Sequence, residues 1–486
     1  MPAPLDHSTF PTGFVWGAAS SSYQIEGGST TDLRGQSVWD AFCRQPETVH
    51  GGHNGDRACD HYNRIDADVS MMRDLGLKAY RLSTSWPRVM PSGTGAINET
   101  GLAFYDHLVD SLLEHGIQPW ITLFHWDYPL ELFRRGGWLN RDSARWFADF
   151  AQVVVRRLGD RVSHWMTINE PQVFLQLGHA EGTHAPGLRL PLREQLVAAH
   201  NVLRAHGLGV QAIRNNSSNS VVGWAPVGHV KFPVAETPVN IEAARHATFA
   251  IDKRDLWNNT WFADPVCLGD YPEDGKRLYS SELPTFPSSD LADIHQPIDF
   301  YGVNIYTGTP VTEVQGKSAP AQPAEGAART AFNWTIEPGS LRWGARFLSD
   351  RYKLPVYITE NGMSSHDWVD LDGRVLDTGR IDYTRRYLLA LRQAITDGAD
   401  VRGYFHWSIL DNFEWAEGYK ERFGLVHVDF ATLARTPKLS AHWYRNVIAT
   451  NGRSLKHPVT IDDTAPHREA AQQLKPLVAP TVVARI

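Results

Sequence analysis

Two acidic residues end two apolar runs of the same shape. Glu170 closes His164-Trp165-Met166-Thr167-Ile168-Asn169-Glu170-Pro171, and Glu360 closes Pro355-Val356-Tyr357-Ile358-Thr359-Glu360-Asn361-Gly362, 190 residues further on. A single glutamate in such a place usually solvates a loop or caps a following helix. Two of them, each beside an asparagine and within a few residues of Trp or Tyr, fit the needs of glycoside cleavage. One carboxyl is held protonated to assist the departing oxygen, and the other is ionised to attack carbon or activate water.

Side chains so far apart in sequence can cooperate only if the elements carrying them converge. Runs rich in apolar β-formers occur over Phe14–Ala19, Lys78–Trp86, Gln118–Asp127, His164–Glu170, Ser220–Pro226, Pro297–Tyr306, Pro355–Gly362 and Val401–Leu410. Near-continuous apolar runs suit parallel strands covered on both faces. Helical spacing falls between them over 66–75, 102–115, 143–158, 192–213, 243–261, 338–352 and 381–396, several of these runs stopping at a glycine such as Gly76, Gly116 or Gly159. Eight strands alternating with helices predict a single α/β domain, a (β/α)8 TIM barrel with elaborated rim loops, over residues 1–450. All strand C-termini of such a barrel share one rim. Gln24, Arg81, His125, Asn169, Glu170, Asn304, Tyr306, Glu360 and Trp407 all lie at or just past those ends.

Three segments look appended. Residues 312–330, rich in Ala, Pro and Gly, read as a mobile rim loop after the sixth strand. Residues 411–429 form a long excursion after the eighth, and residues 451–486 read as a C-terminal extension.

Composition narrows the partners. A net charge of −7 over 486 residues, without long Lys/Arg runs, leaves no electrostatic footprint for nucleic acid or an anionic membrane, and no apolar stretch reaches membrane-spanning length. Three cysteines, Cys43, Cys59 and Cys267, are too few for a disulfide framework. The N-terminal stretch lacks the pattern of a secretory signal, so the expected location is cytoplasmic. Of seventeen tryptophans most are expected to be core, and those adjoining the acidic strand ends suit a protein that packs flat indoles against the C–H faces of pyranose rings. His125 and His184 belong to no metal-ligand spacing, so neither metal nor cofactor is expected. A small-molecule β-glucoside or oligosaccharide is the expected partner, and assembly into a homo-oligomer stays open.

Thr167-Ile168-Asn169-Glu170-Pro171, Ile358-Thr359-Glu360-Asn361-Gly362 and Asp411-Asn412-Phe413-Glu414-Trp415-Ala416-Glu417-Gly418-Tyr419 together resemble the family 1 glycoside hydrolases, the β-glucosidase family. The resemblance runs from Phe10 to about Tyr444. It implies a retaining β-glycosidase with Glu170 as acid/base and Glu360 as nucleophile, the carboxyl groups roughly 5–5.5 Å apart. It further implies Arg81 and Tyr306 as partners of the nucleophile, and Asn304 as a supporting residue. Gln24, His125, Asn169, Glu414 and Trp415 would hold the sugar hydroxyls, Trp126 and Phe423 wall the pocket, Trp407 form its floor and Trp334 pack on the leaving group. Beside these stand plainer readings, His125 as a satisfied core histidine and Trp407 as core packing. His229 is expected to be structural only.

Relatives that take 6-phosphorylated sugars carry Ser, Lys and Tyr where this chain has Glu414, Glu421 and Phe423. A phosphate dianion would meet two acids there, which disfavours a phosphosugar. Activity on galactosides or fucosides could accompany glucosidase activity. The alternatives are a glycosidase in which transfer to acceptors outweighs hydrolysis, and a silent sugar-binding protein, the latter disfavoured because both carboxylates are retained. Val173 and His179 are expected to bear on leaving-group preference.

Overall fold

The computed structural model describes residues 8–457. The eight apolar runs form one parallel sheet: β1 (Val15–Ala19), β2 (Ala79–Ser83), β3 (Gln118–Phe124), β4 (His164–Asn169), β5 (Val221–Ala225), β6 (Tyr301–Asn304), β7 (Val356–Asn361) and β8 (Val401–Trp407). Hydrogen-bonded neighbours run β5-β4-β3-β2-β1-β8-β7-β6. Strands β1 and β8 pair with Val15 opposite Gly403, so the last strand returns to the first. The seam between β5 and β6 is drawn together by Asp299 N–H donating to Val222 O at 2.7 Å and Asn304 N–H to Pro226 O at 3.0 Å. Together these make a nearly closed (β/α)8 barrel.

Inside the barrel, Ala19, Ala79 and Ala225 leave room for Trp120, Met166, Phe300 and Phe405, with Trp407 and Phe423 above them. Small residues facing large ones fill the lumen, as a packed barrel core requires. Outside it, the helices bury one stripe each. Ser143–Leu158 turns Trp146, Phe147, Phe150, Val154 and Leu158 inward, the three-and-four spacing of a single helical face, and packs along Leu192–Asn216.

Several elements differ from their expected limits. The second strand stops at Ser83 because Pro87 sits in the first turn of a short helix, Trp86–Val89, where a missing N–H costs nothing. Residues 243–261 are not one helix: Pro238–Phe249 ends before an irregular turn, and Thr260–Cys267 begins anew. Residues 312–330, expected as a mobile loop, are partly sheet. Gly308–Val314 and Lys317–Pro320 pair antiparallel through Gln315 (φ 53°) and Gly316 (φ 78°), a two-residue turn whose positive φ values match strand twist. The same strand pairs parallel with Val230–Pro233 outside the barrel.

On the face away from the strand C-termini, Asn451 joins the two ends of the described body. Its backbone O accepts from Phe10 N–H at 3.0 Å, its Nδ2 donates to Phe10 O at 2.7 Å, and Trp16 Nε1 donates to its Oδ1 at 2.9 Å. Residues 453–456 add a short turn with Leu455 buried. The remainder of the expected 451–486 extension lies outside the described residues. Among those described, no helix is long and apolar enough to cross a membrane.

Candidate active site

Both key glutamates sit where the ladder breaks. Glu170 has φ 44° and ψ 61°, which turns the chain off β4, and Pro171 then starts the helix Pro171–Leu175. On β7 the register with β6 slips between Ile358 and Glu360, a bulge of the kind that re-aims side chains at barrel rims. Gly362 follows because a Cβ there would lie 1.8 Å from Trp407 O.

Glu360 is held at both oxygens. Arg81 Nη1 donates to Oε1 at 2.5 Å, and Tyr306 Oη donates to Oε2 at 2.5 Å. Arg81 also donates through Nη2 to Asn169 Oδ1 at 2.7 Å, through Nη1 to Thr359 O at 3.0 Å and through Nε to Thr122 Oγ1 at 3.1 Å. Glu170 meets a different environment. Its Oε1 accepts from Asn304 Nδ2 at 2.9 Å, and the same amide lies 3.0 Å from Asn169 Oδ1. Thr359 Oγ1 donates to Asn304 Oδ1 at 2.6 Å and fixes that amide.

The proton occupancies follow from these partners. Burial, and then the negative charge of Glu360, push the Glu170 carboxyl up to about 8, against the smaller pull of Asn304 and Arg81. Burial raises Glu360 as well, but Arg81, Tyr306 and Asn304 all pull it down. Of the two, Glu360 has the stronger support for its ionised form.

Asn169 links this centre to His125. Arg81 can only donate, so the Asn169 atom facing it is the oxygen, and Nδ2 faces His125 Nε2 at 3.2 Å. His125 accepts there and carries its proton on Nδ1, which has no protein partner among the described residues. Burial, with Arg81 nearby, holds the ring well below the usual histidine range, so it is neutral. It lies almost parallel to Trp407 (centroids 5.7 Å, 15°) and to Trp415 (6.0 Å, 17°).

A cavity of about 580 Å³ takes in Glu170, Glu360, His125, Tyr306, Trp407 and Glu414. Trp126, Trp415 and Phe423 wall it, and Trp334 stands toward the opening beside Tyr306, with ring centroids 5.4 Å apart. Arg81, Asn169 and Asn304 lie behind this surface, fully buried or nearly so. Gln24 is also buried. Its Nε2 is spent on Asn412 Oδ1 (3.0 Å), Phe413 O (2.8 Å) and Glu414 Oε2 (3.4 Å), and Oε1 already accepts from Ser21 Oγ (2.6 Å). It offers a ligand only the remaining lone pair of Oε1. Glu414 is pushed well above the carboxylate range by burial and by Glu360, Glu170 and Glu421.

The loop carrying Glu414, Trp415 and Phe423 is pinned by a cluster of charges of which only Asp411 lies in a motif quoted above. Asp411 accepts from Lys438 Nζ at 2.7 Å, Arg422 Nη1 at 2.7 Å and Gly424 N–H at 3.0 Å. Lys438 also reaches Asp367, which pairs in turn with Arg380. No short motif announces this cluster, because its members come from four separate segments.

Toward the opening, the structure corrects two readings. Val173 lines the cavity, but His179 does not: its Nδ1 bonds Phe174 O at 3.0 Å behind the wall, and Leu177 and His184 stand at the surface instead. His229, expected to be structural only, lines the cavity with Lys231 and Trp257. Rim logic could not find them, since the strand Val230–Pro233 is not one of the eight.

Comparison with known proteins agrees with this geometry. Residues 6–453 match the family described as Glycosyl hydrolase family 1. The beta-glucosidase A of Thermotoga maritima is 42% identical over 450 residues, spanning 91% of this chain and 98% of that protein. The beta-glucosidase of an Agrobacterium species is 42% identical over 441 residues, 90% of this chain and 94% of that one. The solved structure of the T. maritima beta-glucosidase in complex with deoxynojirimycin superposes with a TM-score of 0.84, covering 91% of this chain and 99% of that chain. The chain belongs to glycosyl hydrolase family 1.

Proposed function

We propose that the protein is a retaining β-glucosidase that releases terminal non-reducing glucose from small β-glucosides or oligosaccharides. The observation that carries this reading is the unequal treatment of two carboxyls in one cavity: Glu360 bound by a guanidinium and a phenol, Glu170 buried against a single amide. The names of the related proteins support the choice of sugar.

Ionised Glu360 attacks the anomeric carbon while Glu170 gives its proton to the glycosidic oxygen, and the bond to the leaving group breaks. The product of this step is a neutral glycosyl ester on Glu360. Its lost charge removes the repulsion that raised Glu170, so the Glu170 carboxylate accepts a proton from water. That water attacks the same carbon, frees Glu360, and returns both groups to their starting state with the configuration retained.

Asn169 has one amide N–H left after His125, suited to the sugar 2-OH, where bonds strengthen as charge develops on the ring. His125, Glu414 and the Trp415 face supply further contacts, and Trp407 the stacking floor. Trp334 packs on the leaving group. The three free thiols, Cys43, Cys59 and Cys267, suit a reducing compartment such as the cytoplasm.

Replacing Glu360 by Gly tests the assignment. Hydrolysis of an aryl β-glucoside is expected to fall at least about 10⁴-fold, and added azide to restore turnover as a glucosyl azide. Wild-type-like hydrolysis by Glu360→Gly would refute it.

A further inference from the structure

On the leaving-group side, two cations border the cavity without a counter-charge. Lys231 lies half-buried in its wall, and Arg329 is exposed at its edge. Neither has a carboxylate within ion-pairing distance among the described residues. Lys231 Nζ donates to Thr309 Oγ1 at 3.2 Å, and Arg329 Nη1 to Asn333 O at 2.8 Å. Thr309, three residues beyond Tyr306, and Lys231 both line the cavity that holds Glu360; Lys231, His229 and Trp257 also border an adjoining outer cavity.

The patch is rigid and mixed in character. Lys231 N–H donates to Thr248 Oγ1 at 3.0 Å, and Thr248 Oγ1 donates back to Lys231 O at 3.1 Å. Asn259 clamps His229 the same way, accepting from its N–H and donating to its O, each at 3.0 Å. His229 Nε2 is buried without a partner, and the His229 ring meets the half-buried Trp257 edge-on at 5.0 Å. Burial, and then Lys253, draw the Lys231 ammonium downward, while Asp252 opposes them from outside ion-pairing range. Glu417 also borders the cavity but is engaged by Lys420 at 2.9 Å. A half-buried ammonium gains more from a counter-ion than an exposed one does, because water screens it less.

We propose that Lys231, with Trp257 and His229, forms a leaving-group site for an aromatic aglycone carrying a carboxylate. Trp257 takes the ring and Lys231 the carboxylate, with the His229 ring backing Trp257. The site deepens the β-glucosidase reading and rests on it.

The test compares 4-carboxyphenyl β-glucoside with its methyl ester, the ratio of their kcat/KM values being the readout. Intrinsic leaving-group differences cancel when that ratio is compared between variants. Lys231→Met is expected to lower the acid-to-ester ratio about tenfold and Lys231→Arg to keep it, while the wild-type ratio falls as salt rises to about 0.5 M. An unchanged ratio in Lys231→Met overturns the proposal, as does a wild-type ratio indifferent to salt, a measurement that stands even if the variant does not fold. Failure to hydrolyse either glucoside overturns the parent reading and this one with it, whereas good hydrolysis of the ester with an unchanged ratio overturns this one alone.

Discussion

Arg81 and Glu360 form an ion pair, Nη1 to Oε1 at 2.5 Å, with side chains only 1% and 4% exposed. A buried pair of this kind owes its worth to function as much as stability, since its desolvation offsets much of the attraction. Here it supports the ionised form of one carboxyl beside another that has no cation against it. Four consequences can be measured.

The pH profile of kcat/KM is expected to be a bell. Glu170 acts in its protonated form, so activity is lost as pH rises through about 8. In the proposed mechanism Glu360 acts ionised, so activity is also lost on the acid side as it takes up a proton. Asn304 hydrogen-bonds Glu170 and favours its charged form. Asn304→Ala is therefore expected to move the alkaline limb to higher pH, and a limb that stays put would count against this role.

Tyr306→Phe deletes the donor to Glu360 Oε2 and leaves the ring in place. Hydrogen bonds to charged groups are worth about 1.5–3 kcal/mol, so kcat/KM is expected to fall roughly 10–100-fold. The acid limb is expected to move up in pH, because the ionised nucleophile has lost support. A drop in kcat/KM with no shift of that limb would point to a merely steric part for the tyrosine.

The pocket that holds Glu414 should reject a phosphate. Glu414 and Glu421 are buried or half-buried acids, and Phe423 offers no donor. The aryl β-glucoside 6-phosphate is expected to be at least about 100-fold poorer than the unphosphorylated glucoside in kcat/KM. Comparable efficiency on both would overturn this account of the pocket.

Asn451→Ala removes the bonds to Trp16 and to Phe10 O on the face away from the cavity. Thermal or urea unfolding is expected to show a loss of about 1–3 kcal/mol. Activity of the folded variant is expected to stay within about twofold of wild type, since the site is remote. Loss of activity without loss of stability would contradict this separation.

What could be read in advance follows physical rules. Glu170 and Glu360 were legible because a barrel gathers strand ends on one rim, whatever the sequence distance between them. Arg81, His125, Asn304 and Tyr306 came with them by the same logic. The turn at Gln315-Gly316 was hidden by the Ala, Pro and Gly around it, which look alike in a loop and in a hairpin flank. Lys231 rides on a strand outside the barrel and His229 immediately precedes it, so no strand-end rule applies to them. His179 has the right neighbours in sequence, but its ring turns back on Phe174 O, a direction that only packing decides. Gln24 lies beside the expected region, and its burial among Ser21, Asn412 and Phe413 makes it a support for Glu414.

Phe10 and Asn451 are joined across the floor of the barrel, opposite the opening where substrate enters. An anchor attached near either position would hold the enzyme to a bead or a fusion partner with its mouth pointing outward. Tethering through the hairpin at Gly316 would instead set the support against the outer cavity that adjoins the mouth.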